Sequence, residues 1–185
     1  MVSQEADDRI VVTVLTGFLG AGKTTLLNRW LQPYAPGEAA VVVNEVGEVG
    51  IDGVLLHGDG RTIDELSGGC ICCLVQESLV TTLAQLALRQ PRPRRLFIET
   101  SGLAEPGPVV EAVGYGNLPR RLRLEAIVTV VDPVSLAARL GESPVVAQIT
   151  AADRVVLSRS DLASDAQIAA AEGIVRGLNP LAQII

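Results

Sequence analysis

The chain has 185 residues, of which 48% are apolar and 3% aromatic, and its formal net charge is −6. This length suits one α/β domain whose core is built from Val, Leu, Ile and Ala. The negative charge argues against binding to nucleic acid or to an anionic membrane surface, and no apolar run is long enough to span a bilayer. Residues 1–9 are polar and lack the basic region of a signal peptide, so we predict a disordered tail and a cytoplasmic protein.

A glycine-rich segment follows the first predicted strand. Residues 10–15 form an apolar run that only Thr13 interrupts, residues 17–25 read G-F-L-G-A-G-K-T-T, and residues 24–31 predict a helix. The spacing G-x-x-x-x-G-K-T is typical of a loop whose backbone N–H groups surround phosphate oxygens. Lys23 would then bind the β- and γ-phosphates, and the Thr24 hydroxyl would bind Mg²⁺. The alternative is a glycine turn without a ligand.

A second apolar run, residues 39–43, predicts the next strand. Residues 44–52 follow it and carry Glu45 and Glu48 among small residues. Because α/β sheets place their ligand loops after the carboxyl ends of parallel strands, we interpret this stretch as a switch segment. An ordinary acidic surface loop is the alternative. Residues 54–56 and 62–66 then flank a Gly-Asp-Gly sequence, a pattern that predicts a hairpin.

The three cysteines lie within four positions, as Cys70, Cys72 and Cys73. An odd number at this spacing does not fit a disulfide framework, and it favours metal or redox chemistry in a reducing compartment. If the stretch is extended, Cys70 and Cys72 project to one side and Cys73 to the other, so a third ligand needs a turn. Thiolates suit Zn²⁺, Cu⁺ or, with mixed donors, Co²⁺, and the missing fourth ligand predicts an open or transferable site. Buried cysteines or a thiol redox pair are the alternatives.

Two further apolar runs end in polar residues. Residues 96–98 predict a strand that leads to Glu99 and Gly102. An acidic residue on the strand beside the phosphate loop can bind Mg²⁺ through water, and a glycine N–H just beyond it can sense a γ-phosphate. Residues 126–131 predict another strand, which ends at Asp132-Pro133. We interpret this pair as a helix N-cap and the first helical residue, with a catalytic role as the alternative.

The rest of the chain completes an alternation of strands and helices. Helices are predicted over residues 76–89 and 165–176, and a strand over residues 153–157 leads to Ser158-Arg159-Ser160-Asp161. A short apolar stretch, residues 182–185, ends the chain. The alternation predicts an α/β fold with a mostly parallel sheet.

With these stretches in hand, the chain resembles the CobW-type GTPases, a family of P-loop metallochaperones. The resemblance covers nearly all of the chain and rests on residues 17–25, 44–48, 69–73 and 99–106 in this order. It implies a P-loop NTPase three-layer sandwich around a mostly parallel central sheet, with one GTPase domain over residues 1–185. We expect the smaller C-terminal domain and the histidine-rich stretch of many family members to be absent.

In that family GTP binds the loop, the cysteine motif takes Zn²⁺ or Co²⁺, and hydrolysis is tied to delivery of the metal to a client protein. By resemblance, Lys23 holds phosphates, Thr24 binds Mg²⁺ and Thr25 supports the α-phosphate. Glu99 would complete the Mg²⁺ environment, Gly102 would report the γ-phosphate, and Glu45 and Glu48 would lie near the metal or the attacking water. The implied nucleotide-binding residues are Gly17, Gly20, Ala21, Gly22, Lys23, Thr24, Thr25, Ser158, Arg159 and Asp161, and the implied ligands of the thiolate site are Cys70, Cys72 and Cys73.

The guanine-reading segment departs from the family pattern. It is usually Asn-Lys-x-Asp, and here it is Ser158-Arg159-Ser160-Asp161. Asp161 keeps the carboxylate that accepts both N–H donors of guanine, and the Arg159 guanidinium can lie over the base. Ser158 is too short to replace an asparagine amide. We therefore predict GTP binding, with loose binding and a relaxed choice of base as the alternative.

The resulting hypothesis is a Mg²⁺-dependent GTPase whose nucleotide state controls a thiolate metal site. We expect slow hydrolysis to GDP and phosphate, since no catalytic arginine is evident in the chain. The predicted partners are GTP and a client metalloprotein, with no nucleic acid or membrane, and the predicted state is a monomer or weak homodimer. A thiol redox-regulated GTPase switch and a small-molecule kinase are the alternatives.

Overall fold

The computed structural model describes residues 7–44, 54–56, 62–63 and 73–185. These residues form eight strands and six α-helices. The strands are β1 (Ile10–Thr16), β2 (Ala39–Asn44), β3 (Val54–Leu56), β4 (Thr62–Ile63), β5 (Arg95–Thr100), β6 (Leu122–Val131), β7 (Arg154–Leu157) and β8 (Gln183–Ile184). The helices are α1 (Lys23–Leu31), α2 (Cys73–Leu88), α3 (Gly107–Val113), α4 (Leu136–Arg139), α5 (Ser143–Thr150) and α6 (Asp165–Leu178).

The strands form one sheet in the order β4-β3-β2-β5-β1-β6-β7-β8. The six strands from β2 to β8 in this order are parallel, and β3 and β4 add an antiparallel edge. The mostly parallel sheet that the sequence predicts is therefore confirmed. Strand β1 lies between β5 and β6, so the segments that follow these three strands leave the sheet at the same edge.

Side chains on the two faces of the sheet pack against different helices. On β1, Ile10, Val12 and Val14 contact a cluster that includes residues of α2 and α3, whereas Leu15 belongs to a second cluster with residues of α1. This alternation follows from the two-residue period of a strand. Helices on both faces of the sheet make a three-layer sandwich, as predicted. A third cluster joins α4, α5 and α6 to β7 and to the end of β6.

The predicted strands and helices lie within a few residues of the observed ones. The two strands of the predicted hairpin pair as expected, with Val54 opposite Ile63, while the intervening turn lies outside the described residues. Helix α2 begins at Cys73, three residues before the predicted start at Gln76. The short helices α3 and α5 were not predicted from the sequence.

The prediction that Asp132 is the N-cap of a helix is wrong, because Asp132 instead caps a turn that precedes α4. Its Oδ1 atom accepts a hydrogen bond from the Val134 N–H at 2.9 Å, and its carbonyl oxygen accepts from the N–H groups of Ser135 and Leu136. Helix α4 begins only at Leu136, with Ser135 as its N-cap. Asp132 therefore stabilises the turn that leads into α4.

Residues 7–9 are bound to the rest of the domain by charged side chains. The Arg92 Nη2 atom lies 2.6 Å from Asp8 Oδ2, and Arg9 Nη1 donates to the Pro119 carbonyl at 3.3 Å. A hydrogen bond from the Arg9 guanidinium lowers the pKa of Asp7 to about 2. Residues 1–6 lie outside the described part of the chain, so the predicted tail remains a prediction for them. No helix among the described residues is long and apolar enough to cross a bilayer.

Candidate functional site

The predicted phosphate loop connects β1 to α1 at the carboxyl edge of the sheet. Gly17, Gly20 and Gly22 have φ angles of 138°, 74° and 98°, a region that favours glycine. Gly17 has a second constraint, because a Cβ atom there would lie 2.3 Å from the Val130 carbonyl oxygen on β6. The glycines therefore allow the chain to turn sharply beside the neighbouring strand.

Helix α1 presents its N-terminus to this loop. Gly22 is the N-cap, and no side chain among the described residues caps the helix there. The first-turn N–H groups, including those of the exposed Thr24 and Thr25, have no acceptors within the helix. Together with the helix dipole, such N–H groups favour an anion at this position.

The Lys23 side chain lies across the loop. Its Nζ atom is 2.8 Å from the Gly17 carbonyl oxygen and 3.3 Å from that of Phe18, and the residue is 8% exposed. A positive charge is thus held inside the turn that the sequence assigns to phosphate binding.

Thr24 and Glu99 meet beside the loop. The Thr24 hydroxyl donates to Glu99 Oε1 at 2.9 Å, and Glu99 is 7% exposed on β5. A second contact, between the ends of β5 and β1, joins the hydroxyls of Thr100 and Thr16 at 2.9 Å. The hydroxyl and the carboxylate are hard oxygen donors of the kind that Mg²⁺ prefers, so the residues present fit this ion.

Gly102 packs directly against the phosphate loop. A Cβ atom at this position would lie 2.5 Å from the Leu19 backbone nitrogen. The segment is also held from α5, where the buried Gln148 Nε2 donates to the carbonyl oxygens of Gly102 at 3.1 Å and Ala104 at 2.9 Å. The sequence alone does not predict a role for Gln148. Its only signal is one amide within the apolar run Val145-Val146-Ala147-Gln148-Ile149.

The predicted base-reading segment follows β7 and contacts the loop through Ser158. The Ser158 Oγ atom lies 2.7 Å from the Ala21 carbonyl oxygen and 3.2 Å from that of Val131. Although a serine is shorter than an asparagine, it reaches the backbone of the phosphate loop here. The Ser158 N–H also donates to the Val131 carbonyl at 2.8 Å.

Arg159 and Asp161 lie at the same edge. Arg159 has a φ angle of 52°, and its Nη1 atom is 3.2 Å from Asp132 Oδ2, with 49% of the arginine side chain exposed. Asp161 is exposed in a 3-10 turn over Ser160–Leu162. The fold thus brings the loop, Glu99, Gly102 and the base-reading segment to one side of the sheet.

Several predicted residues lie outside the described part of the chain. These are Glu45, Glu48, Cys70 and Cys72. The backbone of Cys73 is the first residue of α2, so the extended conformation considered for the cysteine stretch does not continue through Cys73. Among the described residues, no three His, Cys, Asp or Glu side chains converge to hold a metal ion. The thiolate site therefore remains a prediction.

Comparison with known proteins matches the chain to one family. A family model described as CobW/HypB/UreG, nucleotide-binding domain, matches residues 11–185. The zinc chaperone CobW of Sinorhizobium sp is 37% identical, and the match covers 83% of this chain and 52% of that protein. The zinc-regulated GTPase metalloprotein activator 1 of Schizosaccharomyces pombe is 34% identical, with 96% of this chain and 46% of that protein covered. This chain therefore spans about half the length of these curated relatives.

Solved structures agree with the assignment of the fold. The crystal structure of the Zn(II)-bound YjiA GTPase from E. coli superposes with a TM-score of 0.69 at 33% identity, over 96% of this chain and 57% of that one. The hydrogenase maturation factor HypB from Archaeoglobus fulgidus has a TM-score of 0.55 at 18% identity, over 97% of this chain and 81% of that one, and is similar in fold. The predicted P-loop fold and family are confirmed.

The close approach of Gly102 to Leu19 generates the first test. Gly102→Ala should lower the free energy of unfolding by about 1–3 kcal/mol, because the added methyl group must displace loop backbone. Gly107→Ala is the matched control, since a Cβ atom there meets nothing within 4 Å. Urea denaturation of both variants measures the difference. Equal stabilities would show that Gly102 does not require this close packing.

Proposed function

This chain belongs to the CobW/HypB/UreG nucleotide-binding family, and from that membership we propose that it hydrolyses GTP to GDP and phosphate and couples hydrolysis to the transfer of zinc to a client protein. The observation that carries the GTPase part is the arrangement of Lys23, Thr24 and Glu99 around one glycine loop. Zinc is proposed as the cargo because similar proteins are named zinc chaperones.

Phosphate binding would use groups that already face the loop. The N–H groups at the start of α1 would donate to phosphate oxygens. Lys23 would exchange the Gly17 and Phe18 carbonyl oxygens for the β- and γ-phosphates. Thr25 would support the α-phosphate from the first turn of α1.

Thr24 and Glu99 would hold Mg²⁺, Thr24 through its hydroxyl and Glu99 through water. The hydrogen bond between the two side chains shows that they already lie side by side. When bound, Mg²⁺ neutralises phosphate charge during transfer. The buried position of Glu99 fixes its carboxylate beside the loop, so the protein contributes a preformed set of donors.

Hydrolysis would proceed by attack of water on the γ-phosphate. The Gly102 N–H would contact the γ-phosphate, and Glu45, which lies outside the described residues, is our candidate for orienting the water. Gly102 is positioned for this role by its contact with Leu19, because that contact places the segment against the phosphate loop.

Base recognition would depend on Asp161 and Arg159. The Asp161 carboxylate would accept hydrogen bonds from the two N–H groups on the edge of guanine, which adenine does not present. The Arg159 guanidinium, held by Asp132 at 3.2 Å, would lie against the face of the base. Ser158 would join this segment to the phosphate loop through Ala21, so base binding and loop geometry would be linked.

The zinc would be carried by Cys70, Cys72 and Cys73, with Co²⁺ as a second ion of suitable chemistry. The described backbone supports a location near the nucleotide. Helix α2 ends at Leu88, shortly before β5 begins at the amino edge of the sheet, so its start at Cys73 is directed toward the carboxyl edge. A switch segment at residues 44–52, at the same edge, could then transmit the nucleotide state to the thiolates.

Removal of the Thr24 hydroxyl tests the GTPase proposal. Thr24→Val should reduce the rate of Mg²⁺-dependent GTP hydrolysis by about 100-fold, because the ion loses a direct ligand. Thr24→Ser retains the hydroxyl and should preserve most of the activity. Phosphate release is measured over a Mg²⁺ titration. An unchanged Mg²⁺ dependence in Thr24→Val would contradict this role.

Exchange of the Asp161 carboxylate tests base recognition. In Asp161→Asn the amide donates where the carboxylate accepted, so affinity for GTP should fall by about 100-fold while affinity for xanthosine triphosphate rises. Asp165→Asn, an exposed aspartate at the start of α6, is the matched control. Calorimetric titration with both nucleotides measures the change. Parallel behaviour of the two variants would remove Asp161 from the base site.

Metal titration tests the zinc proposal. The affinity for Zn²⁺ should differ between protein loaded with a non-hydrolysable GTP analogue and protein loaded with GDP, and Cys72→Ala should lower it at least about tenfold, since a thiolate ligand is lost. The Zn²⁺ affinity is measured by competition with a chromogenic chelator. Equal affinities in the two nucleotide states, unaffected by Cys72→Ala, would end the metallochaperone proposal. Reversible loss of two titratable thiols under mild oxidation, unaffected by Zn²⁺, would support the redox-switch alternative instead.

A further inference from the structure

A buried amide connects helix α5 to the segment that contains Gly102. Gln148 is 1% exposed, and its Nε2 atom donates to the carbonyl oxygens of Gly102 at 3.1 Å and Ala104 at 2.9 Å. Because both partners are carbonyl oxygens, which only accept hydrogen bonds, the NH₂ group of the Gln148 side chain must face them. The two bonds fix the carbonyl groups of Gly102 and Ala104, the residues on either side of Leu103.

Gln148 is itself fixed to the centre of the sheet. The Thr129 hydroxyl on β6 donates to the main-chain carbonyl oxygen of Gln148 at 2.7 Å, and Thr129 is 1% exposed. Strand β6 pairs with β1, the strand that carries the phosphate loop. The amide therefore holds the Gly102 segment relative to the same strands that position the loop.

Packing alone does not fill the space between α5 and the loop. A cavity of about 30 Å³, lined in part by Leu19, Thr129 and Gln148, lies there. This volume is enough for about one water molecule. Loss of the amide bonds would leave the Gly102 and Ala104 carbonyl oxygens without their donor from α5, so only packing would hold the segment against Leu19.

We propose that Gln148 is a positioning residue that sets the orientation of Gly102 toward the γ-phosphate and so determines the preference for GTP over GDP. The inference rests on the proposed function, because it assumes that the loop binds guanine nucleotides. GDP has no γ-phosphate, so its binding does not depend on how Gly102 is oriented. Loss of the amide should therefore weaken GTP binding selectively.

The test compares two variants that each lose side-chain amide hydrogen bonds at α5. Gln148→Met keeps the approximate volume and removes both donors. Asn179→Ala is the matched control, because Asn179 Nδ2 donates to the carbonyl oxygens of Ile149, Thr150 and Ala152 and to none in the Gly102 segment. Affinities for GDP and for an imido analogue of GTP are measured by calorimetry, and stability is measured by urea denaturation.

We expect Gln148→Met to lower affinity for the GTP analogue about tenfold and to leave affinity for GDP within about twofold. Asn179→Ala should lose stability without a change in the ratio of the two affinities. An unchanged ratio in Gln148→Met, or an equal change in both variants, would overturn the inference and leave the proposed function in place. Failure of the unmodified protein to bind either nucleotide would overturn the proposed function, and the inference with it.

Hydrogen exchange on the unmodified protein gives a second test that does not depend on variant folding. Peptides that cover residues 101–104 and 143–150 should gain protection together when the GTP analogue binds, and not when GDP binds. Protection of residues 101–104 without residues 143–150 would overturn the proposed connection, because the amide would then transmit nothing to α5.

Discussion

Parallel pairing of β1 with β5 and β6 determines where the described site residues lie. Each strand of a parallel set delivers its following segment to the same edge of the sheet. For this reason the phosphate loop after β1, the Glu99 carboxylate near the end of β5 and Asp132 after β6 are neighbours, although they are far apart in the sequence. Strand β7 adds Ser158 and Arg159 to the same edge.

Contacts from outside the loop stabilise the candidate site. Ser158 reaches the Ala21 carbonyl oxygen, Gly102 packs on Leu19, and Gln148 holds the Gly102 segment from a helix behind it. Each contact involves a backbone group of the loop or of the segment beside it, and the partner of Ser158 is a main-chain carbonyl oxygen, which accepts from any donor within reach. This explains how a serine in place of the usual asparagine is compatible with a close contact to the loop.

The proposed coupling of nucleotide and zinc follows from the same geometry. Strand β2, which precedes the proposed switch segment, ends at the carboxyl edge, and the start of α2 is directed toward the same edge. The nucleotide would bind at this edge. Such coupling needs an element with two arrangements, and residues 44–52 are the proposed one.

The sequence by itself determined the phosphate loop, the strands that carry Glu99 and Ser158, and the family, because these depend on local spacing and on residues that are close along the chain. It also placed most helices and strands within a few residues, since their apolar periods are strong. Only the tertiary structure decided that Asp132 caps a turn ahead of α4, that Ser158 reaches Ala21, and that Gln148 holds Gly102. These contacts join residues 2, 137 and 46 positions apart, respectively. The contacts of Ser158 and Gln148 depend on how the strands align in the sheet. The contact between Asp132 and Val134 lies in a local turn, and the sequence does not show where that turn ends and α4 begins.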